Sequence, residues 1–200
     1  MTGWSINAAE LRIPRRSRVA AHRMIVIANP AGAAVRQING LASWFESESG
    51  AWRHKPIGYL WTDRLRGYDS KAHPRTFMPI NGCTGPRWEL APAIHTGAVR
   101  VLAEGLSAAE VDRRILPALE AVRRINGLNP GPEGGAGVPY PFMGFGRNSN
   151  SFFSTLLNAM GFDEPAFAEP AWIVPGAGRL LLPADVVQSL RTQQSAAATA

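Results

Sequence analysis

A serine at the predicted start of a helix is the residue in this chain best placed for chemistry. The run 148–151 reads Asn-Ser-Asn-Ser, the apolar segment 152–160 follows it, and Gly161 ends the pattern. This arrangement predicts a helix of about three turns with free amides at its N-terminus. The helix dipole and these amides stabilise negative charge developing on an oxygen. Ser149 is therefore a candidate nucleophile, and the alternative is that Ser149 or Asn148 only caps the helix, worth about 1 kcal/mol.

A serine nucleophile needs a general base, usually a histidine that a third group orients. The chain has four histidines, His22, His54, His73 and His95. Only His22 lies in a stretch that we predict as a strand, residues 22–28, and a rigid strand holds catalytic geometry better than a loop. His22 is thus the candidate base. The alternative is a histidine at a strand edge that is merely solvated or hydrogen-bonded.

Two short segments carry a resemblance to a known family. A histidine at the head of a strand, then a hairpin, and much later Asn-Ser-Asn-Ser-Phe at a helix start resemble the circularly permuted papain-like superfamily. That superfamily includes lecithin-retinol-acyltransferase-like and deSUMOylating-isopeptidase-like proteins, in which a strand histidine precedes a cysteine nucleophile. Residues 144–152 also look like an uncharacterised bacterial family with an Asn-Ser-Asn-Thr-Phe motif. Here Ser149 stands in the position of the cysteine.

The resemblance implies an α+β fold in which a small antiparallel sheet packs against helices in a permuted papain-like arrangement. It implies a hydrolase or an acyl/amide-transfer enzyme acting on the amide of a peptide or cell-wall fragment. Ser149 would attack the carbonyl, His22 would move the proton, and Asn148 would help to hold the oxyanion. The third, orienting group is left open among three polar residues after the histidine strand: Gln37, Asn39 and Asp63.

Other residues are candidates for substrate binding or for rival chemistry. Trp44 and Trp52 fall in a stretch, 41–56, that we interpret as an irregular loop able to line a substrate groove. Gly146 allows close approach of the backbone to a ligand, and Asn150 is placed with it as a binding residue. Cys83, in a Gly-containing turn, is a rival nucleophile, although a free loop thiol is the simpler interpretation.

The elements that must position these residues follow from patterning. We predict an extended basic arm over 1–20, a single α+β domain over 21–183, and a C-terminal tail over 184–200, largely disordered at its end. Ser107-Ala-Ala-Glu110 has the form of a capping box, and a 3.6-residue apolar period follows it, with Pro117 expected to kink or interrupt the helix. Further predicted elements are a strand at 34–38 antiparallel to 22–28, a strand at 57–61 and a helix at 89–104.

The composition of the chain excludes several classes of protein and of binding site. The chain of 200 residues has a formal charge of +6, one cysteine and no apolar run long enough for a spanning helix. A disulfide framework and a cysteine zinc site are excluded, and neither a metal nor another cofactor is predicted. We expect a cytoplasmic protein without a membrane span and no nucleic-acid partner, and the oligomeric state stays open. Two alternatives to an enzyme remain, namely an inactive binding module of the same fold and a basic protein that binds polyanions through residues 10–23.

Overall fold

Seven antiparallel strands form one sheet in the computed structural model, which describes residues 3–13, 19–55, 58, 60–78, 97–130, 137–141, 144–167 and 171–199. The strands are β1 (Trp4–Ile13), β2 (Ala20–Ala28), β3 (Ala34–Glu46), β4 (Ala51–Lys55), β5 (Arg64–Asp69), β6 (Gly97–Leu106) and β7 (Val138–Pro139). Their order across the sheet is β6-β1-β2-β3-β5-β7, and β4 pairs with β3. The predicted antiparallel α+β class is confirmed.

Strand β2 lies in the interior of the sheet, between β1 and β3. Successive side chains of a strand point to opposite faces. Ile25 and Ile27 therefore join the main core with the helices, while Met24 and Val26 join a second apolar cluster on the other face. Strand β2 is therefore covered by apolar side chains on both faces, and the predicted antiparallel pairing with the next strand is confirmed.

The helices α1 (Ala108–Asn126), α2 (Ser149–Met160) and α3 (Ala184–Thr199) share the main core with the sheet. Helix α1 begins with the predicted capping box, in which Ser107 and Glu110 satisfy each other's backbone amides. Pro117 was expected to kink or interrupt α1, yet the helix runs unbroken from Ala108 to Asn126. Ile115 and Ala118, on either side of this proline, are fully buried, and their packing offsets the lost hydrogen bond.

Both ends of the chain contribute elements to the fold. The basic arm contains β1, which is hydrogen-bonded to β2 and to β6, and its Ile6, Ala8 and Ala9 are fully buried. The sequence did not predict this strand because arginines lie next to its apolar residues. Arg23, which belongs to the segment 10–23 of the polyanion-binding alternative, lies in β2 and is also buried. Residues 14–18 lie outside the described part of the chain. The predicted C-terminal tail over 184–200, for which disorder is expected largely at its end, contains helix α3, which places Val187 and Leu190 in the core.

Three interior assignments also change. The predicted loop 41–56 contains the end of β3 and the whole of β4. Its residues show no clear strand pattern, and they form strands because β3 pairs with both β4 and β5. Residues 58, 60 and 61, the described part of the predicted strand at 57–61, do not form a strand. The strand in this region is β5, at 64–69. The C-terminal part of the predicted helix 89–104 is strand β6, since β1 pairs with it; residues 89–96 lie outside the described ranges.

None of the helices in the described ranges combines the length and the apolar character that a membrane crossing requires.

Candidate active site

Strands β2 and β3 separate beside His22, and the start of α2 fills the gap. Their ladder stops at the Ile25–Ile38 pair, and the same edge of β3 pairs with β4 only from Ala42 onward, while β5 pairs with the opposite edge. The exposed backbone edge of β2 is then satisfied by one side chain. Asn150 Oδ1 accepts from the Arg23 amide at 3.0 Å, and Asn150 Nδ2 donates to the Ala21 carbonyl at 2.9 Å. The amide of Asn150 thus replaces a strand at this edge.

This contact brings the two predicted catalytic residues into one neighbourhood. Asn150 bonds to the two residues that flank His22, and Ser149 precedes Asn150 in the chain. Consecutive Cα atoms are about 3.8 Å apart, so the helix start and the strand histidine are held close together. The hydrogen bonds of the described residues do not join Ser149 to His22 directly.

Asn39 determines which nitrogen of His22 carries the proton. Asn39 Nδ2 donates to the Thr76 carbonyl at 3.0 Å and to Gln37 Oε1 at 3.2 Å, so its Oδ1 must be the atom that faces His22. His22 Nε2 lies 3.4 Å from that Oδ1. A side-chain carbonyl oxygen only accepts, and therefore Nε2 is the protonated nitrogen of the neutral ring. The lone pair is then on Nδ1.

The Nδ1 atom of His22 is buried and has no hydrogen-bond partner among the described residues. The whole side chain is 3% exposed. Burial lowers the pKa of His22 from 6.5 to about 4, although the hydrogen bond with Asn39 partly opposes this change. The ring is thus neutral at pH 7, with a lone pair available to take a proton.

The first turn of α2 uses some of its polar groups for capping and leaves others without a hydrogen-bond partner among the described residues. Asn148 Oδ1 accepts from the amides of Asn150 and Ser151, and Asn148 Nδ2 donates to the Gly144 carbonyl. The Ser149 hydroxyl and the Ser149 amide make no hydrogen bond within the described part of the chain. Asn148 is therefore the cap, and Ser149 keeps a hydroxyl and a backbone donor for a ligand.

The remaining polar side chains of α2 hold the segment 175–181 against the helix. Asn150 Nδ2 donates to the Pro175 carbonyl at 3.1 Å, and Ser151 Oγ donates to that of Gly176 at 2.8 Å. Ser154 Oγ accepts from the Gly178 amide and Thr155 Oγ1 from that of Leu181, each at 2.9 Å. Most of the polar motif therefore has a structural explanation that Ser149 lacks.

The three candidate orienting residues separate into two places. Gln37 supports Asn39, and both polar atoms of its side chain bond to the backbone of Met78. Gln37 Nε2 donates to the Met78 carbonyl at 2.6 Å, and Gln37 Oε1 accepts from the Met78 amide at 2.7 Å. Asp63 is fully buried elsewhere, where it forms an ion pair with Lys55 at 2.8 Å and accepts from the Leu60 amide. Asn39 is thus the residue in contact with His22, and Asp63 stabilises the turn before β5.

The candidate substrate-binding residues are also dispersed. Trp44 lies on β3 and Trp52 on β4, and together they line cavities of about 420 and 660 Å³. Gly146, just before α2, has a φ of +125°, which glycine tolerates and other residues rarely adopt. Asn150 bonds to the backbone at the strand gap, and Cys83 lies outside the described residues.

Sequence reasoning missed a buried ion network next to His22. Arg23 Nε and Nη2 donate to Glu10 Oε2 at 3.0 and 2.9 Å, and Glu10 is fully buried. Glu10 Oε1 accepts from the Ala171 amide, and Glu164 contacts Arg23 Nη1 at 3.4 Å. The signal in the sequence is an acidic and a basic residue that each follow or precede apolar residues of a strand, Glu10 in β1 and Arg23 in β2.

Within the described ranges, no group of three or more histidine, cysteine, aspartate or glutamate side chains converges as metal ligands would. Comparisons with models of protein families, with curated proteins and with solved structures gave no match to this chain.

Proposed function

We propose that this protein is a hydrolase or acyl/amide-transfer enzyme with Ser149 as nucleophile, His22 as general base and Asn39 as the residue that positions His22. One observation carries the proposal. A buried histidine presents an unpartnered Nδ1 lone pair, and Asn39 fixes the tautomer that leaves it there. A general base needs this protonation state and this fixed orientation.

The proposed reaction proceeds through an acyl-enzyme. Ser149 Oγ attacks the carbonyl carbon while His22 Nδ1 takes the hydroxyl proton. The Ser149 amide and the N-terminus of α2 stabilise the oxyanion. His22 then gives the proton to the leaving amine, and the carbon–nitrogen bond breaks. Water or a second amine attacks the ester by the same route, which releases the acyl group and restores Ser149.

Burial of His22 sets a limit on the rate. The pKa of about 4 means that the imidazolium formed during attack is costly, and the nearby oxyanion must offset part of that cost. A serine hydroxyl is also much less acidic than a thiol, so Ser149 depends on His22 more than a cysteine would. We expect slow turnover and an acyl-enzyme that can be trapped.

The proposed substrate is an amide of a peptide or of a cell-wall fragment, in line with the resemblance of the two motif segments. A serine-directed fluorophosphonate tests the nucleophile without knowledge of the substrate. We expect one label per chain, on Ser149 by peptide mass, with no label in Ser149→Ala. In His22→Gln the labelling rate falls by about 10²–10⁴-fold, because the proton acceptor is lost.

A matched control is Ser107→Ala. Ser107 is also a serine at the start of a helix, but it is an exposed cap. It should label like wild type despite a loss of about 1 kcal/mol in stability. Labelling of Ser107, or labelling that persists in Ser149→Ala, contradicts the proposal. So does a folded wild type that takes no label.

A second candidate function is a binding module of the same fold without chemistry. It is favoured by the burial of the pair, since Ser149 is 5% and His22 3% exposed. Ser149→Cys, made in a Cys83→Ser background, separates the two. An inactive site is supported if the thiol introduced by this substitution reacts quickly with iodoacetamide while the wild type is not labelled by fluorophosphonate. Reactivity of both forms supports the enzyme.

A further inference from the structure

A groove of aromatic and basic side chains lies at the β3–β4 hairpin, apart from Ser149. Two cavities, of about 420 and 660 Å³, share Trp44 and Trp52 as walls. The remaining residues that the argument needs are Tyr68, His54, His73 and Arg75 in the first cavity, and Phe45, Trp61 and Arg64 in the second. We call these two cavities together the hairpin groove.

The charge of the hairpin groove is positive. Among the described residues that line it there is no aspartate or glutamate. Two lining cations are neutralised nearby, Arg53 by Glu46 at 2.7 Å and Lys55 by Asp63 at 2.8 Å. Arg64 and Arg75 form no ion pair with any described residue, and each lies in a different cavity. An anionic ligand would therefore meet two available guanidinium groups.

The aromatic side chains of the groove are unusually accessible. Trp61 is 87% exposed, Trp44 37% and Phe45 36%. Trp52 is partly covered, since the Arg66 guanidinium stacks on its ring at 4.2 Å and Phe45 meets its ring at 5.6 Å. Clustered exposed aromatic rings mark a binding surface rather than a core. Flat rings beside guanidinium groups suit a ligand with planar rings and negative charge.

Against the sequence-based expectation of no nucleic-acid partner, we propose that the hairpin groove binds single-stranded nucleic acid, with bases stacked on Trp61 and Trp44 and phosphates held by Arg64 and Arg75. Two cavities that share walls fit a repeating ligand better than one small anion. Every base presents a flat π face that can stack on an exposed aromatic ring whatever the base sequence, and a duplex hides these faces. This proposal does not use the arm over residues 10–23, of which residues 10–13 lie in β1 and residues 20–23 in β2.

Fluorescence anisotropy of a labelled 12-nucleotide oligo(dT) tests this proposal. The chain carries Ser149→Ala, so no turnover intervenes and the outcome does not depend on the proposed function. Trp61→Ala should weaken binding by about 5- to 150-fold, the range for loss of one stacked base. Arg64→Ala and Arg75→Ala should each reduce the slope of log Kobs against log salt by about 0.7.

Matched controls come from other exposed surfaces. Trp172 is 76% exposed and Arg113 is exposed on α1, and neither lines the groove. Trp172→Ala and Arg113→Ala should leave affinity and salt slope unchanged. Equal affinity for heparin or for duplex DNA would overturn the proposal in favour of charge alone. Salt-independent binding of a neutral glycan, or no binding of oligo(dT) by the folded chain, would overturn it as well.

Discussion

Two asparagines determine the chemistry of the candidate site at the scale of single residues. Asn39 fixes the His22 tautomer, and Asn150 ties the helix start to the strand on both sides of His22. The orientation of each side-chain amide is fixed by its hydrogen-bond partners, because the Nδ2 atom must face an acceptor and the Oδ1 atom must face a donor. The sequence named both residues, but Asn39 only as one of three orienting candidates and Asn150 for a different role.

The first prediction concerns the protonation of His22. The ¹⁵N spectrum of the folded chain at pH 7 should show a neutral ring with the proton on Nε2 and a lone pair on Nδ1. On titration the ring should gain its second proton near pH 4, since burial lowers the pKa to about 4. In Asn39→Ala the tautomer preference should weaken. A His22 ring with its proton on Nδ1 would contradict the assignment.

The same pKa predicts the pH dependence of stability. The unfolded chain binds a proton at pH 6.5 and the folded chain only at about 4, so protons favour unfolding between these values. The contribution of His22 to the free energy of unfolding is therefore greatest above pH 6.5, and it falls by about 3 kcal/mol as the pH drops to 4. Urea titrations should show this loss in wild type. If His22→Gln shows the same loss over this window, the assignment to His22 fails.

Close contact between α2 and the sheet positions the site at the scale of elements. Gly40 on β3 and Gly67 on β5 face the Phe152 ring, and a Cβ at Gly67 would lie 2.5 Å from Phe152 Cε2. Only a residue without a side chain lets the helix approach this closely. The two glycines thus set how deeply α2 lies against the sheet and where Ser149 stands.

The second prediction follows from this contact. Gly67→Ala should cost about 1–3 kcal/mol in urea unfolding, because the new methyl overpacks the core. Gly127→Ala is the control, since its Cβ would meet nothing nearer than 3.5 Å, and it should change stability by no more than about 0.5 kcal/mol.

A double mutant cycle tests the cause. Phe152→Leu removes the ring atoms that a Cβ at Gly67 would strike, so Gly67→Ala should cost less in that background than in wild type. Strictly additive free energies would show that the glycine is needed for another reason.

Long-range contacts join the two ends of the chain at the scale of the whole molecule. Glu10 in β1 bonds to Arg23 in β2 and to the Ala171 amide, and β6 and β2 enclose β1. This buried carboxylate therefore links the first strand to the segment that precedes α3. Burying an ion pair is costly, and breaking one leaves an uncompensated charge.

The third prediction uses this pair. Glu10→Gln should lower the free energy of unfolding by about 3–5 kcal/mol, because Arg23 then keeps only its longer, partly exposed ion pair with Glu164, at 3.4 Å. The control is Glu120→Gln, whose carboxylate binds Arg123 and Arg124 on the surface and should cost less than about 1 kcal/mol. Comparable losses in both variants, measured by urea unfolding, would contradict a special role for Glu10.

The sequence by itself determined the local features. The capping box at Ser107, the helix that begins at Ser149, the strand at His22 and its hairpin follow from side-chain types and periodicity over a few residues. The antiparallel α+β class followed too, through the resemblance of the two motif segments. These features depend on neighbours in the chain, which the sequence displays directly.

Only the tertiary structure decided which partners distant segments find. Strand β1, strand β4 and helix α3 have weak patterns of their own, and they form because β2, β3 and the core supply their hydrogen bonds and apolar contacts. The choice of Asn39 over Asp63 beside His22, and the hairpin groove, arise in the same way. Pairing energy across large sequence separations is absent from any local window, so the sequence left these questions open.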